Sequence, residues 1–246
     1  MGRQALFISL ILLCCGCTSV RPQLQGGGGV KVARVPDEVF RTYLLEQGYV
    51  VPYKGLMKEF GFWVPRREVV KRTALGRALQ LLNVHNMGIM SLEGVEMFDS
   101  LVVLICSENP LSSVDLSHCP RLKQFTAVEV PLRQLDLSCC PELKLVELSY
   151  TELRQLDVSR NPNIEEIFCI FSPGIVSIDI SHNPRLQRLY IRETRIRQVD
   201  ITANREIQEL HALDTPLETL TVTNDQIDKV GASLEEGVKI LVIDAE

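Results

Sequence analysis

The sequence predicts a β-rich solenoid, a stack of short coils around one hydrophobic core, and two observations support this prediction. A phrase of the form apolar-x-x-apolar-Asp-apolar recurs every 21 residues, with one interval of 22. Its copies begin at Leu111, Leu132, Leu153, Ile175, Ile196 and, without the aspartate, Leu217. A second phrase, apolar-x-x-apolar-x-apolar, lies between these copies and begins at Leu101, Leu122, Leu143, Ile164, Leu186 and Ile207. Units that cannot bury their apolar edge alone bury it by stacking, so this fixed period indicates a solenoid.

Both phrases fit the leucine-rich-repeat pattern L-x-x-L-x-L-x-x-N/C-x-L. The Asn/Cys position of the first phrase holds Cys119, Cys140, Asn161, Asn183 and Asn204. A side chain there faces inward at a turn and can hydrogen-bond backbone groups of its own and the adjacent coil. Alternating apolar and polar residues predict two short strands in each coil. We therefore expect a short-repeat, β-rich leucine-rich-repeat solenoid of about seven coils over residues 79–223, with little helix in the repeats.

The first residues have the features of an export signal. Arg3 precedes an apolar run from Ala5 to Leu13 that is too short to span a bilayer. The run leads into a segment that resembles the cleavage box of bacterial lipoproteins, in which Cys17 follows Gly16 and is the predicted site of lipid attachment. Cys15 is the alternative acceptor, and a plain secretory signal without lipid is the other alternative. Residues 1–17 are thus predicted to be a lipoprotein signal peptide and residues 18–30, which are rich in glycine, a flexible tether.

A solenoid needs both open ends closed, and the flanking segments are predicted to close them. Residues 31–78 should form a small helical N-terminal cap. Its first helix should run from Val35 to Leu45, and Gly48 should end it. A second helix is predicted over Pro65 to Ala78, with an aromatic plug at residues 60–63. Residues 224–246, which include the apolar run 238–243, should form the C-terminal cap.

The chain resembles the leucine-rich-repeat lipoproteins of Gram-negative gut and oral bacteria, which have nested 21-residue repeats. Besides the repeat phrases, the matching segments are Val35-Pro36-Asp37-x-x-Phe40-x-x-Tyr43-Leu44 and Gly88-Ile89-x-Ser91-Leu92-Glu93-Gly94-Val95-Glu96-x-Phe98. The resemblance covers nearly all of residues 35–223. It implies a binding module without known catalytic residues, lipid-anchored to the bacterial outer membrane on the periplasmic or cell-surface side. An acidic Asp-x-Asp-x-Asp-Gly loop, which family members often carry after the first helix, is replaced here by residues 47–52, so no calcium site is expected.

Composition and motifs argue against several classes of function. The net charge of -5 and the lack of a basic stripe argue against nucleic acid as a partner. Neither Gly-x-Ser-x-Gly, a glycine-rich phosphate loop nor His-x-x-x-His is present, so we expect no enzyme, cofactor or metal.

The nearest approach to a metal site is His118, Cys119, Cys139 and Cys140. Cys119 and Cys140 should point inward and the other two outward, which is unsuitable for shared ligation. A disulfide between Cys119 and Cys140 would need an unfavourable torsion.

The side chains that vary from coil to coil indicate the binding face. The outward columns of the second phrase are predicted to be Ile105, Thr126, Glu147, Phe168, Tyr190, His211 and Ser107, Val128, Ser149, Ile170, Arg192, Leu213. The predicted ligand-binding residues are Phe168, Ile170, Tyr190, Arg192 and His211, with Phe171 in the same exposed stripe and Arg188, Arg195 and Arg197 along its edge. Aromatic and arginine side chains are typical of protein interfaces, and aromatic rings also suit glycan stacking. In the alternative interpretation, Phe168 and Phe171 fold back as local core over the 22-residue unit.

The opposite face is uniform, because Asp115, Asp136, Asp157, Asp179 and Asp200 each stand two residues before a serine or threonine. Repetition in every coil predicts a structural role in turns. The sequence therefore predicts a membrane-anchored, non-catalytic module that recognises a protein or glycan. The alternative function is a structural periplasmic scaffold that self-associates without a discrete ligand.

Overall fold

The computed structural model describes residues 24–26, 30–53, 58–59, 62–63, 69–227 and 234–244. The predicted signal peptide, with Cys15 and the predicted attachment site Cys17, lies outside the described residues. Most of the predicted tether and residues 64–68 also lie outside them. In the part of the chain that is described, no helix has the length and apolar character needed to cross a bilayer.

An α/β cap precedes the repeats. Its elements are β1 (Leu24–Gly26), β2 (Val30–Arg34), α1 (Glu38–Glu46), β3 (Val50–Pro52), β4 (Lys58–Glu59), β5 (Phe62–Trp63), β6 (Val69–Arg72) and α2 (Ala74–Arg77). Four strands form an antiparallel sheet in the order β1-β2-β6-β3, and β4 pairs with β5. Strand β1 comes from the stretch predicted as a tether, so residues 24–26 are paired strand. The cap is thus part sheet as well as helix.

Helix α1 is where the sequence predicts it and fastens the cap to the first coil. The Asp37 carboxylate accepts a hydrogen bond from the Phe40 backbone N–H at 2.9 Å, which caps the helix. Its other oxygen accepts from the backbone N–H of Met90 at 2.8 Å, within the first coil. Phe40 and Leu44 on the buried face join the hydrophobic core of the repeats. One side chain therefore both starts the helix and docks it against the solenoid.

The second predicted helix, residues 65–78, is wrong over most of its described length. Residues 69–72 form strand β6, which pairs with both β2 and β3. Two consecutive valines at 69 and 70 favour a strand, and pairing on both edges outweighs the weak helical pattern. Helix is confined to the four residues of α2, which begins where the Thr73 hydroxyl accepts from the Gly76 N–H at 3.0 Å.

The described residues of the repeats and the C-terminal cap contain ten strands, namely β7 (Leu81–Asn83), β8 (Val103–Ile105), β9 (Gln124–Thr126), β10 (Leu145–Glu147), β11 (Glu166–Phe168), β12 (Arg188–Tyr190), β13 (Gln198–Asp200), β14 (Glu209–His211), β15 (Thr219–Thr223) and, in the cap, β16 (Lys239–Ile243). Seven of them form one parallel sheet in the order β14-β12-β11-β10-β9-β8-β7. Each strand belongs to a successive coil, so the seven predicted coils are confirmed. The chain is a leucine-rich-repeat solenoid with little helix in its repeats.

The centre of each strand in this sheet points into the core. The central residues Leu82, Leu104, Phe125, Val146, Ile167, Leu189 and Leu210 are at most 2% exposed. Apolar residues of the other phrase, such as Leu137, Val158 and Ile180, pack in the same cluster. Because neighbouring strands pair in parallel and in register, like residues stack on like residues along the whole solenoid. The predicted inward positions of both phrases are confirmed.

A ladder of buried amides runs beside this core. Asn161 donates from Nδ2 to the carbonyl oxygens of Leu137 at 2.9 Å and Cys140 at 2.8 Å. Asn183 and Asn204 repeat this arrangement one and two coils further on. Gln226 completes the ladder by donating to the carbonyls of Ile201 and Asn204. The pattern does not predict Gln226, because it is a glutamine placed one residue later than the 21-residue spacing requires.

The sequence predicts a second strand in each coil, on the side that carries the aspartates, and the structure differs there. From residue 111 to 180 the only strand-like pairing on that side is an isolated bridge between Asp157 and Asp179. Regular strands appear only towards the C-terminus, where β13, β15 and β16 form a parallel sheet. The aspartates of this side accept a hydrogen bond from the N–H two residues ahead, so the chain turns directly after them. The β-branched run 219–223 lengthens β15 and favours strand there.

The Asn161 amide should contribute far more to stability than a nearby exposed amide. Asn161→Ala removes the donors of two buried carbonyls, and each unpaired group costs about 1–3 kcal/mol. Asn163 is the matched control, because its Nδ2 donates to the Pro141 carbonyl at an exposed site. We expect Asn163→Ala to change the free energy of unfolding by no more than about 0.5 kcal/mol. Urea unfolding of the two variants measures the difference, and similar losses would contradict the buried ladder.

Candidate functional site

The regular sheet aligns one outward side chain from each coil. In register, Glu147 lies beside Phe168, Phe168 beside Tyr190, and Tyr190 beside His211. The ring centroids of Phe168 and Tyr190 are 4.8 Å apart, and those of Tyr190 and His211 are 4.2 Å apart and stacked. We call Phe168, Tyr190 and His211 the aromatic ridge. The sequence prediction of one continuous ridge on three successive coils agrees with this geometry.

Three residues predicted to point outward are instead buried. Thr126 is buried in the first column, and Ser107 and Ser149 are buried in the second. The Ser107 hydroxyl accepts a hydrogen bond from the Val128 N–H at 3.0 Å, and the Ser149 hydroxyl accepts from the Ile170 N–H at 3.3 Å. Both serines therefore bond the next coil. Ile170 and Arg192 in the same column are partly exposed, so these two predicted binding residues remain on the accessible face.

A second aromatic pair lies beside the ridge. Tyr150 and Phe171 stack with centroids 4.5 Å apart, and their exposures are 48% and 37%. The alternative in which Phe171 folds into the core is therefore wrong. The extra residue of the 22-residue unit lies between Phe171 and Ile175, where a Cβ on Gly174 would be 2.2 Å from the Leu153 carbonyl oxygen. Glycine permits that close approach, so the longer unit fits without displacing the ring.

Tyr150 is a residue that the sequence prediction missed. It and Phe171 both have a left-handed backbone, with φ of 57° and 53°. The equivalent positions of the other coils are also left-handed, at Asn86, Glu108, Glu129, Glu193 and Asp214. The 21-residue spacing could have grouped these positions as one column. Their conformation was not predictable, because large side chains seldom adopt positive φ.

Most charges on this face are matched within the chain. Arg188 pairs with Glu166, and Arg192 pairs with Asp214 at 3.0 Å. Glu209 accepts a hydrogen bond from the Tyr190 hydroxyl, and that bond raises the pKa of Tyr190. The His211 imidazole lies 3.8 Å from the Glu209 carboxylate. These pairs hold the edges of the ridge in place.

The predicted arginine edge is shorter than expected. Arg188 and Arg192 flank the ridge, but Arg197 directly precedes β13 of the second sheet and pairs with Glu218 there. Arg195 lies beyond the turn, where its backbone N–H donates to the Ile175 carbonyl. Neither of these two side chains belongs to the regular sheet. The prediction failed here because the chain turns between residues 192 and 195.

Glu147 continues the ridge column on the preceding coil and differs from its charged neighbours. Its side chain is partly buried, with Thr126 and Phe168 as its partners on the flanking strands. Desolvation raises the pKa of the Glu147 carboxyl, and a hydrogen bond with the Thr126 side chain opposes that rise. Among the described residues it has no cationic partner. A carboxylate removed from water without a counter-charge is unfavourable for the free protein.

The aspartates of the uniform face stabilise the turns of the coils. Each aspartate of the uniform column accepts a hydrogen bond from the backbone N–H two residues ahead, at 2.9–3.0 Å. Side-chain hydroxyls add to this at Asp157 and Asp179, where bonds from Ser159 and Ser181 lower the pKa of both carboxyls. The predicted structural role of this column is confirmed by these contacts.

Four of the cysteines are packed side chains of the core. Cys106, Cys119, Cys140 and Cys169 are buried free thiols, and burial raises the pKa of each to about 12. A thiol with such a pKa stays protonated and is a poor nucleophile or metal ligand. No cluster of three or more His, Cys, Asp or Glu side chains suited to a metal occurs within the described ranges.

Comparison with solved structures supports the fold. The chain is similar to an internalin of Listeria monocytogenes, with 13% identity, a TM-score of 0.53, and coverage of 86% of this chain and 72% of the internalin. It is also similar to a leucine-rich-repeat protein of Leptospira interrogans, with 17% identity and a TM-score of 0.53. That match covers 60% of this chain but only 44% of the Leptospira protein. No protein-family model and no curated protein matches the sequence.

Proposed function

We propose that this protein is a lipid-anchored, non-catalytic module that binds a protein partner at the cell surface or in the periplasm. The observation that carries the proposal is the aromatic ridge, three rings from three coils in contact on the sheet face. Aromatic side chains flanked by arginine are enriched at the centres of protein interfaces. A rigid sheet that presents them in fixed register limits the entropy lost on binding. The internalin-like fold of the solenoid is compatible with such a role.

A protein partner suits the ridge better than a glycan does. A sugar ring packs against the open face of an aromatic ring. The Tyr190 ring has Phe168 on one side and His211 on the other, with only 18° between its plane and that of His211. Its faces are therefore covered, and its edge and hydroxyl remain for contact. Edges and adjacent charges suit the mixed apolar and polar surface of a protein.

The anchoring part of the proposal rests on the sequence of the first seventeen residues. An apolar run from Ala5 to Leu13 is followed by Gly16 and Cys17. A run of this length directs export without forming a stop-transfer helix. Lipid on Cys17 would hold the solenoid at the membrane and leave the sheet face accessible to a partner.

The ridge should be required for partner capture. Tyr190→Ala removes the central ring, and we expect affinity to fall by more than about 1 kcal/mol, or about fivefold. The measurement is a pull-down from extracellular and host-surface extract, followed by titration of the captured protein. Tyr190→Phe keeps the ring and should retain most of the affinity. Asp157→Ala and Asp179→Ala alter the uniform face and should bind like wild type. A partner lost from the aspartate variants but retained by Tyr190→Ala would reverse the assignment of the two faces.

The anchor should depend on Cys17. Cys17→Ser removes the only thiol that follows Gly16, so we expect the chain to move from the membrane fraction to the soluble fraction of cells. Cys15→Ser is the matched control and should leave the chain in the membrane. If Cys17→Ser stays membrane-bound and Cys15→Ser is released, Cys15 is the acceptor. Release of wild type to the same extent as the variant would indicate a plain secretory signal.

A scaffold that self-associates is the second candidate, and strand β16 favours it. The strand pairs with β15 along one edge, and no other described strand pairs with it. Its residues Ile240, Leu241, Val242 and Ile243 are 39–46% exposed. An apolar strand with an open edge is a template for pairing with another chain.

Sedimentation velocity distinguishes the two candidates. If the protein is a self-associating scaffold, the wild type should form oligomers at micromolar concentration. Val242→Lys should disperse them, because a charge on an edge strand opposes pairing. Val176→Lys is the control, since Val176 is exposed at a different place in the fold. A wild-type protein that stays monomeric would rule out self-association and favour the binding module.

A further inference from the structure

The strongest unexplained feature of the binding face is the lone carboxylate of Glu147. Within the strands of the regular sheet the two other carboxylates have partners, and the first of them, Glu166, pairs with Arg188. Glu209 lies between the Tyr190 hydroxyl and the His211 imidazole. Within the described part of the chain, Glu147 has a hydrogen bond with Thr126 and no cation.

The surroundings of Glu147 are apolar on one side and aromatic on the other. Leu145 lies two residues earlier on the same strand, so its side chain points to the same face. Phe168 lies directly opposite on the next strand. One face of the Phe168 ring is turned to Tyr190, with the centroids 4.8 Å apart. On its other side Phe168 has Glu147 as its register partner, which places the ring beside an unpaired carboxylate.

We propose that the site formed by Glu147 and the adjacent Phe168 ring binds an arginine side chain of the protein partner. The inference rests on the proposed binding function and specifies the chemistry of the partner at that face. A guanidinium group can donate two parallel hydrogen bonds to a carboxylate and stack on an aromatic ring at the same time. Lysine can supply charge but lacks the planar fork. The Glu147 carboxylate on β10 and the Phe168 ring on β11 are the two groups needed, and they lie side by side in the register.

The desolvation of Glu147 supports this assignment. Burial raises the pKa of its carboxyl, so the folded state binds a proton more readily than the unfolded chain does. Folding stability therefore decreases as the pH rises through that pKa, and at neutral pH the ionised side chain destabilises the free protein. A cation from a partner would remove that penalty and would add attraction to the Phe168 ring. Glu147→Gln should accordingly be at least as stable as wild type at neutral pH while it binds more weakly.

The test uses a displayed library of random linear peptides, selected on the immobilised full chain. We expect the selected peptides to be enriched in arginine and to lose about tenfold in affinity for Glu147→Gln, because the variant removes the charged acceptor of the hydrogen bonds. Replacing the arginine of a selected peptide by neutral citrulline should cause a similar loss. Glu152→Gln is the matched control, because Glu152 belongs to the same coil, is exposed and pairs with Arg133. It changes the net charge equally and should bind like wild type.

The outcomes separate this inference from the proposed function. Peptides that require Tyr190 but contain no arginine, or that bind Glu147→Gln as well as wild type, would overturn the arginine site and leave the binding face intact. Peptides that require neither Tyr190 nor Glu147 would overturn both. Enrichment of lysine above arginine would overturn the guanidinium assignment. A thermal unfolding curve for Glu147→Gln that lies below that of wild type would show that weakened binding reflects damage to the fold, and would contradict the unpaired carboxylate.

Discussion

The hydrogen bonding of buried turns is the constraint on which this solenoid depends. Each coil must bring its chain back across the end of the core, where backbone carbonyls have no strand partner. The amides of Asn161, Asn183 and Asn204 each satisfy two of these groups in the coil before their own. Because each bond links two coils, the ladder also sets the stacking register. The outward columns, and with them the aromatic ridge, follow from that register.

A fixed period made the fold predictable from the sequence, because every coil repeats the same burial and the same hydrogen bonds. Residues such as Leu104 and Ile167 could be placed inward, and Phe168, Tyr190 and His211 outward, from alternation alone. Where the repeat does not apply, prediction failed. Strand β6 depends on pairing with β2 and β3, which are distant in sequence, and no local pattern outside the repeats indicates that pairing.

Local backbone geometry limited what could be predicted of the candidate site. The Ser107 and Ser149 hydroxyls bond the next coil and are buried, although alternation places them outward. At the next position the backbone is left-handed in every coil, and the Tyr150 and Phe171 N–H groups donate to carbonyls of the following coil at 2.8 and 3.0 Å. Bonds between coils thus hold a conformation that the residues themselves disfavour. The stacked pair of Tyr150 and Phe171 is a consequence of that geometry and not of the repeat pattern.

The two sides of the solenoid differ in how their carboxylates are satisfied. On the uniform side, carboxylates such as Asp157 and Asp179 are satisfied by the N–H groups of their own turns. In the regular sheet of the variable side, Glu166 is matched by Arg188 and Glu209 by Tyr190 and His211, and Glu147 is the exception. A surface whose charges are matched gains little from a partner that brings further charge, since each existing pair would have to be broken. Glu147 is unmatched and partly desolvated, so a complementary cation can approach it without breaking an ion pair of the free protein.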